Sequence, residues 1–177
     1  MTFEQMAERL EKLEARVREL EDEREIRELL ARYGYNADLC RDEAYVQLYT
    51  EDGAVDLLTQ IGRLSKEGGD PEGRRFEGHD EIRGFITDTK GHKRPDIYGK
   101  AMHVQGNNVV AHIQGEEAVV NSYAIMLHIV DSEVRLTNGG NDQWQLRKVD
   151  GKWKLKERRF RQLGLPGYVE NITATAE

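Results

Sequence analysis

Apolar side chains recur at helical spacing near the amino terminus of the chain. Thr2 and Gln5 stand where a capping box would begin a helix. The apolar residues that follow are three or four positions apart, which places them along one side of a helix. They are Phe3, Met6, Leu10, Leu13, Val17 and Leu20. About two and a half heptads are too few for a coiled coil to be stable alone. We therefore expect this seam to pack on its own domain or, as we favour, on a neighbouring subunit.

The phase of the pattern changes after Leu20. Arg24 and Arg27 occupy the next two seam positions, and a second apolar stripe begins in a new phase. Its members are Ile26, Leu29, Leu30 and Tyr33. The sequence therefore predicts an amphipathic helix within residues 1–21 and a second helix from about Glu23 to Leu39, or one helix with a break near Asp22.

Shorter elements follow, and the pattern then changes to strands. The glycine-rich stretch from Gly62 to Gly73 predicts a loop, and Asp150-Gly151 between two alternating segments is a strong hairpin signal. Helices first and a run of antiparallel strands afterwards predict an α+β fold, with a curved sheet wrapped on helices. The predicted bounds are a helix from Asp42 to Tyr49, a turn from Glu51 to Gly53, a strand from Ala54 to Thr59, a helix from Glu81 to Thr89, and strands from Gln143 to Val149 and from Lys152 to Arg161.

One strand is apolar on both of its faces. From Val119 to Ile129 both the odd-numbered and the even-numbered positions carry mostly apolar side chains. Strands that are covered on both faces have this composition. We therefore expect this strand to be central in the sheet.

Composition and charge narrow the class of protein. The 177 residues are enough for one domain with a core. The longest nearly apolar run, Tyr123 to Val130, has eight residues, far short of the roughly 20 that cross a bilayer. A net charge of -7 gives no global support for nucleic-acid binding. In the basic tract from Arg147 to Arg161, basic residues alternate with apolar ones, which is typical of a hairpin with one solvent-exposed face. The charged start of the chain and the single Cys40 favour a cytoplasmic protein.

Several kinds of catalytic site lack their usual motifs. The sequence contains no GxxxxGK[ST], GxGxxG or GxSxG pattern, so it lacks the usual motifs of nucleotide-binding proteins and serine hydrolases. The five histidines show neither HxxxH nor HxH spacing, and Cys40 has no cysteine partner, so a metal site has no local signature. We predict no metal and no cofactor.

The remaining candidates are hydrogen-bonding side chains near apolar segments: Tyr33, Tyr35, Asp38, His103, Asn107 and Asn108. A histidine can serve as a general base near neutral pH, particularly where a carboxylate holds its other ring nitrogen. Asp38 is a candidate for that carboxylate. At 100 degrees per residue, however, Asp38 lies roughly 120 to 130 degrees from the inward stripe, so periodicity alone does not bury it. The pattern leaves open that Asp38 is solvated and that His103 is structural.

Several runs resemble SnoaL-like proteins of the nuclear transport factor 2-like superfamily. They are IRELLARY from Ile26 to Tyr33, Asp38, DEAYVQLYTEDG from Asp42 to Gly53, FEGHDEI from Phe76 to Ile82, Met102-His103, and Gly140 through DGKWKL, which ends at Leu155. The resemblance covers about residues 22 to 163. It implies a cone-shaped α+β barrel over 22–163, in which a strongly bent antiparallel sheet wraps around helices and encloses a pocket. The amino-terminal helix (1–21) and a carboxy-terminal tail (164–177) would flank this domain.

The layout is most similar to the cofactor-independent branch that contains scytalone dehydratase, bile acid 7α-dehydratase and hexachlorocyclohexane dehydrochlorinase. In that branch a helix-end Asp and a strand His form a dyad, and Asp38 and His103 match them. Tyr33 matches a tyrosine near the dyad, and Asn107 matches an Asn that would position the ligand. The resemblance also leads us to place Tyr123, Met126 and Arg161 in substrate binding, with Arg161 as an anion clamp. Met126, however, stands where the bile acid enzyme has an acidic residue, which argues against steroid specificity.

The resemblance implies a lyase that eliminates water, or a similar leaving group, from a hydrophobic cyclic, steroid-like or polyketide-like substrate. A ketosteroid-isomerase-like isomerase, a polyketide cyclase, a noncatalytic ligand binder and a dioxygenase small-subunit-like protein stay open as alternatives, because the fold alone does not name the reaction. The expected partners are a hydrophobic small molecule and further copies of the chain, with a homotrimer as the first expectation. No nucleic acid or membrane is expected as a partner.

Overall fold

The computed structural model describes residues 2–60, 71–89, 93 and 99–173. Four helices and six strands are assigned in these ranges: α1 (Phe3–Asp38), α2 (Asp42–Val46), β1 (Tyr49–Thr59), β2 (Glu72–Glu77), α3 (Gly78–Thr87), β3 (Ala101–Gln114), β4 (Glu117–Val130), β5 (Glu133–Val149), β6 (Lys152–Gln162) and α4 (Tyr168–Thr173). Of the loop predicted from Gly62 to Gly73, residues 62–70 lie outside the described residues. The end of that predicted loop belongs to β2.

Helix α1 is a single helix of 36 residues, so the two separate helices and the break near Asp22 were wrong predictions. The predicted capping box is present, because the Thr2 hydroxyl accepts from Gln5 N–H while the Gln5 side chain accepts from Thr2 N–H. The part of α1 around Asp22 is instead hydrogen-bonded to β6. Asp22 accepts from the indole of Trp153 at 2.9 Å, and Glu25 accepts from the Trp153 backbone N–H at 3.0 Å.

The six strands form one curved, unclosed sheet in the order β2-β1-β6-β5-β4-β3. Neighbouring strands run antiparallel except β1 and β6, which are parallel. Helices pack against this sheet, so the predicted α+β class is confirmed. The predicted Asp150-Gly151 turn joins β5 to β6. The predicted turn from Glu51 to Gly53 lies within β1, where the pairing with β6 shifts register between Tyr49 and Ala54.

Strand β4 lies second from the edge of the sheet, and the prediction that it is central and covered on both faces was wrong. Its even-numbered residues Ala118, Val120, Ser122 and Ala124 are buried. The opposite face exposes Tyr123, Ile125 and Ile129 to between 41% and 48%. An apolar pattern on both faces of a strand therefore does not show that the chain itself covers both faces.

The core lies between the concave face of the sheet and the carboxy-terminal half of α1. Its largest fully buried side chains include Trp144, Tyr33, Tyr45 and Tyr49. On the other face of β5 sits α4, where Asn171 donates to Asn141 and accepts from Gln143. The predicted tail from 164 to 177 therefore contains a short helix that packs on the sheet. None of the helices in the described ranges is long and apolar enough to cross a membrane.

Candidate functional site

The structure brings Asp38 and His103 into direct contact. Asp38 is the last residue of α1, and His103 lies near the start of β3, which packs beside that helix. The His103 Nδ1 atom lies 2.6 Å from Asp38 Oδ1. The backbone N–H of His103 donates to the same carboxylate at 3.0 and 3.1 Å. Three contacts therefore hold the imidazole and the carboxylate in one orientation.

The chemistry of this contact assigns the proton on the ring. An ionised carboxylate only accepts hydrogen bonds, so Nδ1 of His103 must donate, and Nε2 is the basic nitrogen of the neutral ring. The side chains are 8% and 17% exposed for His103 and Asp38, respectively. Asp38 also stands at the carboxyl end of α1, where the helix dipole is negative and favours a nearby cation. The arrangement suits a histidine that takes up a proton during a reaction.

Tyr33 lies beside the Asp38–His103 pair, about one and a half turns before Asp38 on the same helix. Its ring meets the His103 ring edge to face, with centroids 6.5 Å apart. The Tyr33 hydroxyl oxygen accepts from Arg158 Nη1 at 2.5 Å and from the Tyr45 hydroxyl at 3.4 Å. Both contacts use the oxygen as acceptor, which leaves the phenolic hydrogen for a further acceptor. Burial raises the pKa of Tyr33 well above its usual value, so the phenol stays protonated as a donor.

A second buried pair, Arg158 and Asp142, is a part of this interior that the sequence analysis missed. Arg158 donates to both carboxylate oxygens of Asp142, at 2.8 and 3.2 Å, and the two residues are 7% and 1% exposed. Burial raises the pKa of Asp142, and the charge and hydrogen bonds of Arg158 offset part of that rise. Burial also lowers the pKa of Arg158, but its interactions with Asp142, Tyr33 and Tyr45 together more than compensate, so the pKa of Arg158 is raised and the guanidinium stays charged.

The spacing of apolar residues in β6 carried a signal for Arg158. Trp153 and Leu155 share one face, whereas Phe160 is five positions after Leu155 and breaks the period of two. A register shift in the β5–β6 pairing lies at this point: Gln145 pairs with Glu157, but Leu146 pairs with Leu155. After the shift Arg158 shares the inward face with Phe160. An interrupted alternation therefore indicated that Arg158 faces inward.

A chain of polar side chains continues from this pair across the sheet. The Trp144 indole donates to the Ser122 hydroxyl at 2.9 Å, and Ser122 donates to the Gln105 side-chain oxygen at 3.2 Å. Hydrogen bonding by Gln105 offsets part of the rise that burial causes in the pKa of Asp142. Polar groups from α1, β3, β4, β5 and β6 thus meet in one interior region. Within the ranges described, no group of three or more His, Cys, Asp or Glu side chains is placed to hold a metal ion.

The other predicted substrate-binding residues are distributed over both faces of the sheet. Met126 pairs directly with His103 in the β3–β4 register and shares its face. Asn107 belongs to β3, but its side chain lies outside the described residues. Tyr123 is 48% exposed and lies on the face of β4 opposite the buried Ser122. Arg161 donates to both Asp56 oxygens at 3.0 and 3.1 Å, and it lies on the face of β6 opposite Arg158. The structure therefore brings Met126 next to His103 and does not bring Tyr123 or Arg161 there.

The family comparison identifies the class of protein to which this curved α+β sheet belongs. The model of the SnoaL-like domain matches residues 18–159. The chain therefore belongs to the SnoaL-like domain family of the nuclear transport factor 2-like superfamily. This fold fits enzymes such as dehydratases and cyclases. No curated protein matches the chain.

Solved structures share the fold over most of the chain. A nuclear transport factor 2-like protein from Novosphingobium aromaticivorans is 25% identical, with a TM-score of 0.77, and the match covers 92% of this chain and 96% of that one. A proposed scytalone dehydratase from the same species is 23% identical, with a TM-score of 0.60 and coverages of 81% and 85%. The ActVI-ORFA protein of Streptomyces coelicolor is 14% identical, with a TM-score of 0.59 and coverages of 80% and 96%. The last two likenesses show the fold alone.

Proposed function

We propose that this protein is a cofactor-independent lyase that eliminates water, or a similar leaving group, from a hydrophobic cyclic or polyketide-like carbonyl compound. The observation that carries the proposal is the 2.6 Å contact between His103 Nδ1 and Asp38, in an interior where Tyr33 offers a neutral donor. The contact leaves Nε2 as the base. The likeness of the fold to that of a proposed scytalone dehydratase agrees with this chemistry.

The reaction begins with removal of a proton beside the substrate carbonyl. His103 Nε2 takes the proton, the C–H electrons move toward the carbonyl, and Asp38 stabilises the imidazolium that forms. The C–O bond to the leaving hydroxyl then breaks as the carbon–carbon double bond forms. The imidazolium returns its proton to the departing oxygen, so water leaves and the enzyme is restored. Acid-base assistance of this kind contributes on the order of 100 to 10,000-fold.

Two further side chains support the transition state in this proposal. Tyr33 donates its phenolic hydrogen to the substrate carbonyl oxygen, where negative charge develops. Because Tyr33 accepts from Arg158 and Tyr45, the cooperative polarisation of these bonds strengthens its own donation. Met126 supplies an apolar wall beside His103 in the same strand register. Asn107, Tyr123 and Arg161 stay predictions as substrate-binding residues.

The proposal also covers the setting of the enzyme. Its substrate is a hydrophobic small molecule, and the active form is a homo-oligomer in the cytoplasm, with three copies as the expectation that the family resemblance gives. Mass measurement of the native complex tests the number of copies.

The test is a screen of cyclic β-hydroxy ketones in which mass spectrometry follows the product. A lyase gives a product lighter by one water, and we expect that product with wild-type protein. His103→Ala should abolish most of the turnover. His112→Ala is the matched control, because His112 lies on the same strand but is exposed and bonded to Gln114. Equal turnover in wild type and His103→Ala would contradict the proposal.

An isomerase in the same site is the second candidate function. The neutral donor Tyr33 beside His103 favours it, because proton removal next to a hydrogen-bonded carbonyl begins both reactions. In an isomerase His103 would return the proton to another carbon of the same substrate. The product would then keep the mass of the substrate, and this distinguishes the two candidates. Binding without either product would indicate a noncatalytic ligand carrier.

A further inference from the structure

The amino-terminal half of α1 extends beyond the domain. All of its residues from Phe3 to Leu20 are exposed, and the six apolar residues of the seam are between 46% and 85% exposed. At 1.5 Å per residue this segment is about 27 Å long. The seam was expected to pack on its own domain or on another subunit. In the structure it does not pack on the described part of the domain.

The seam and the core-facing stripe lie on opposite sides of the same helix. At 100 degrees per residue, the mean direction of Phe3 to Leu20 seam positions differs by roughly 170 degrees from that of Ile26, Leu29, Leu30, Tyr33 and Ala37. The domain therefore lies on the side of the helix opposite the seam. Helices can approach the seam along a common axis without meeting the domain.

We propose that this seam binds the same seam of further copies of the chain, in a parallel, in-register coiled coil. In heptad terms Phe3, Leu10 and Val17 occupy the a positions, and Met6, Leu13 and Leu20 occupy the d positions. The charges that flank the seam favour further copies of the chain as partners and a parallel direction of their helices. Arg9 and Arg16 occupy g positions, whereas Glu14 and Glu21 occupy e positions.

In a parallel coiled coil, a g residue meets the e residue five positions later on its neighbour. Arg9 then faces Glu14 of another copy, and Arg16 faces Glu21, so every complete pair within the seam is attractive. An antiparallel pair would place g against g and e against e, which sets Arg against Arg and Glu against Glu. The next parallel pair, Glu23 with Glu28, is repulsive, and it coincides with the seam's end at Arg24.

Short coiled coils are limited by the nucleation of their helices, and this chain relieves that limit. The helix is already formed by residues that the core buries, from Ile26 to Ala37, and it continues without interruption to its capping box at Thr2. Each copy therefore presents a helix whose nucleation is complete. Ion pairs within one helix do not prevent the pairs between helices. Arg16 pairs with Glu19 of its own helix at 2.5 Å, but its guanidinium keeps further N–H donors for a glutamate of another copy.

The decisive experiment is sedimentation velocity on the full chain, with substitutions on opposite faces of the projecting helix. We expect the wild-type protein to self-associate at tens of micromolar, and Leu13→Asp to weaken association by about a hundredfold or more, because a leucine leaves the interface in every copy. Ala15→Asp is the matched control: it adds the same charge to the face opposite the seam and should leave association unchanged. Circular dichroism checks that both variants keep their helices.

Charge reversal and cross-linking test the parallel register. Arg9→Glu with Arg16→Glu makes every flanking pair acidic and should weaken association on the order of tenfold to a hundredfold. Adding Glu14→Arg and Glu21→Arg restores attraction and should rescue it. Met6→Cys should form an intermolecular disulfide, because d positions face each other. A Cys40→Asn background removes the native thiol, and Asn tolerates the positive φ of 49° at that position.

Several outcomes would overturn the inference. A monomeric wild-type protein would do so. Association that survives Leu13→Asp would assign the contact to another surface, such as the exposed apolar face of β4. Equal dissociation by Ala15→Asp would attribute the effect to helix destabilisation, and seam-dependent association without the Met6→Cys disulfide would exclude the parallel register.

Discussion

Two carboxylates inside this protein each hold a basic side chain, and the two pairs differ in the partner that they hold. Asp38 contacts His103, whose neutral imidazole keeps a basic ring nitrogen that can accept a proton. Asp142 contacts Arg158, whose guanidinium keeps its charge. Asp38 is partly exposed at the end of a helix, whereas Asp142 is completely buried between strands. The first pair can carry a proton through a reaction, and the second can only fix charge and geometry.

Tyr33 connects the two pairs. Its ring lies against His103 and its hydroxyl accepts from Arg158 at 2.5 Å. The Arg158–Asp142 pair therefore orients the Tyr33 hydroxyl, which is the donor in the proposed mechanism. A buried carboxylate is therefore not by itself evidence of acid-base chemistry. The identity of its partner decides between a catalytic and a positioning role.

The largest expected effect is on turnover when the titratable pair is broken. Asp38→Asn keeps the shape of the side chain but removes the negative charge that stabilises the imidazolium. Turnover of a confirmed substrate should fall on the order of 100-fold or more. The rate constant measured at saturating substrate checks this. Asp142→Asn, if folded, should have the smaller effect on turnover, and the reverse order would remove the proposed division of roles.

Breaking the permanent pair should mainly lower stability. Arg158→Ala leaves the buried Asp142 carboxylate without its cation, and the free energy of unfolding should fall by about 3 to 5 kcal/mol. Urea unfolding followed by circular dichroism measures the change. The double variant Arg158→Met with Asp142→Leu removes both charges and should recover most of the loss. If the double variant is as unstable as Arg158→Ala, the uncompensated charge is not the cause.

The link between the two pairs should give a smaller effect. Tyr33→Phe removes the donor to the substrate and leaves one Arg158 N–H without its acceptor. We expect turnover to fall about tenfold and the free energy of unfolding to fall by about 1 to 3 kcal/mol. Tyr35→Phe is the control on the same helix, because Tyr35 is 66% exposed. Unchanged turnover in Tyr33→Phe would remove Tyr33 from the mechanism.

The smallest effect concerns alkaline pH. Burial raises the pKa of Tyr33, Tyr45 and Tyr49 above the value of about 10 that they have in an unfolded chain. Above about pH 10 the unfolded chain releases protons that the folded protein keeps, so the free energy of unfolding should fall as the pH rises. Tyr49→Phe should reduce this fall. Urea unfolding between about pH 9 and 11 measures it, and an identical pH dependence in Tyr49→Phe would contradict the explanation.

The elements with local signals could be predicted from the sequence. The capping box at Thr2, the turn at Asp150-Gly151 and the α+β order of elements all follow from short-range patterns. The site needed long-range information. Asp38 points away from the inward stripe of its helix, and it meets His103 because β3 passes the end of α1. The resemblance to a family, rather than the helical projection, paired these two residues.

The missed residues lie where local periodicity fails. Arg158 faces inward because the β5–β6 pairing shifts register between Gln145 and Leu146, which changes the face of every later residue. Asp142 lies in a stretch of β5, from Gly140 to Trp144, that is buried on both faces because α4 covers the outer one. A helix formed by the predicted tail could not be inferred from strand alternation. The outer face of β4 was wrongly predicted to be covered for a related reason, since an apolar pattern does not identify what covers a face.

The proposed mechanism depends most directly on which nitrogen of His103 carries the proton, and this can be measured without a substrate. Nitrogen-15 NMR of the labelled histidine rings reports the tautomer of each neutral imidazole. We expect neutral His103 to be protonated at Nδ1 in the wild-type protein and to lose this preference in Asp38→Asn. A neutral His103 protonated at Nε2, with the same tautomer in both proteins, would contradict it.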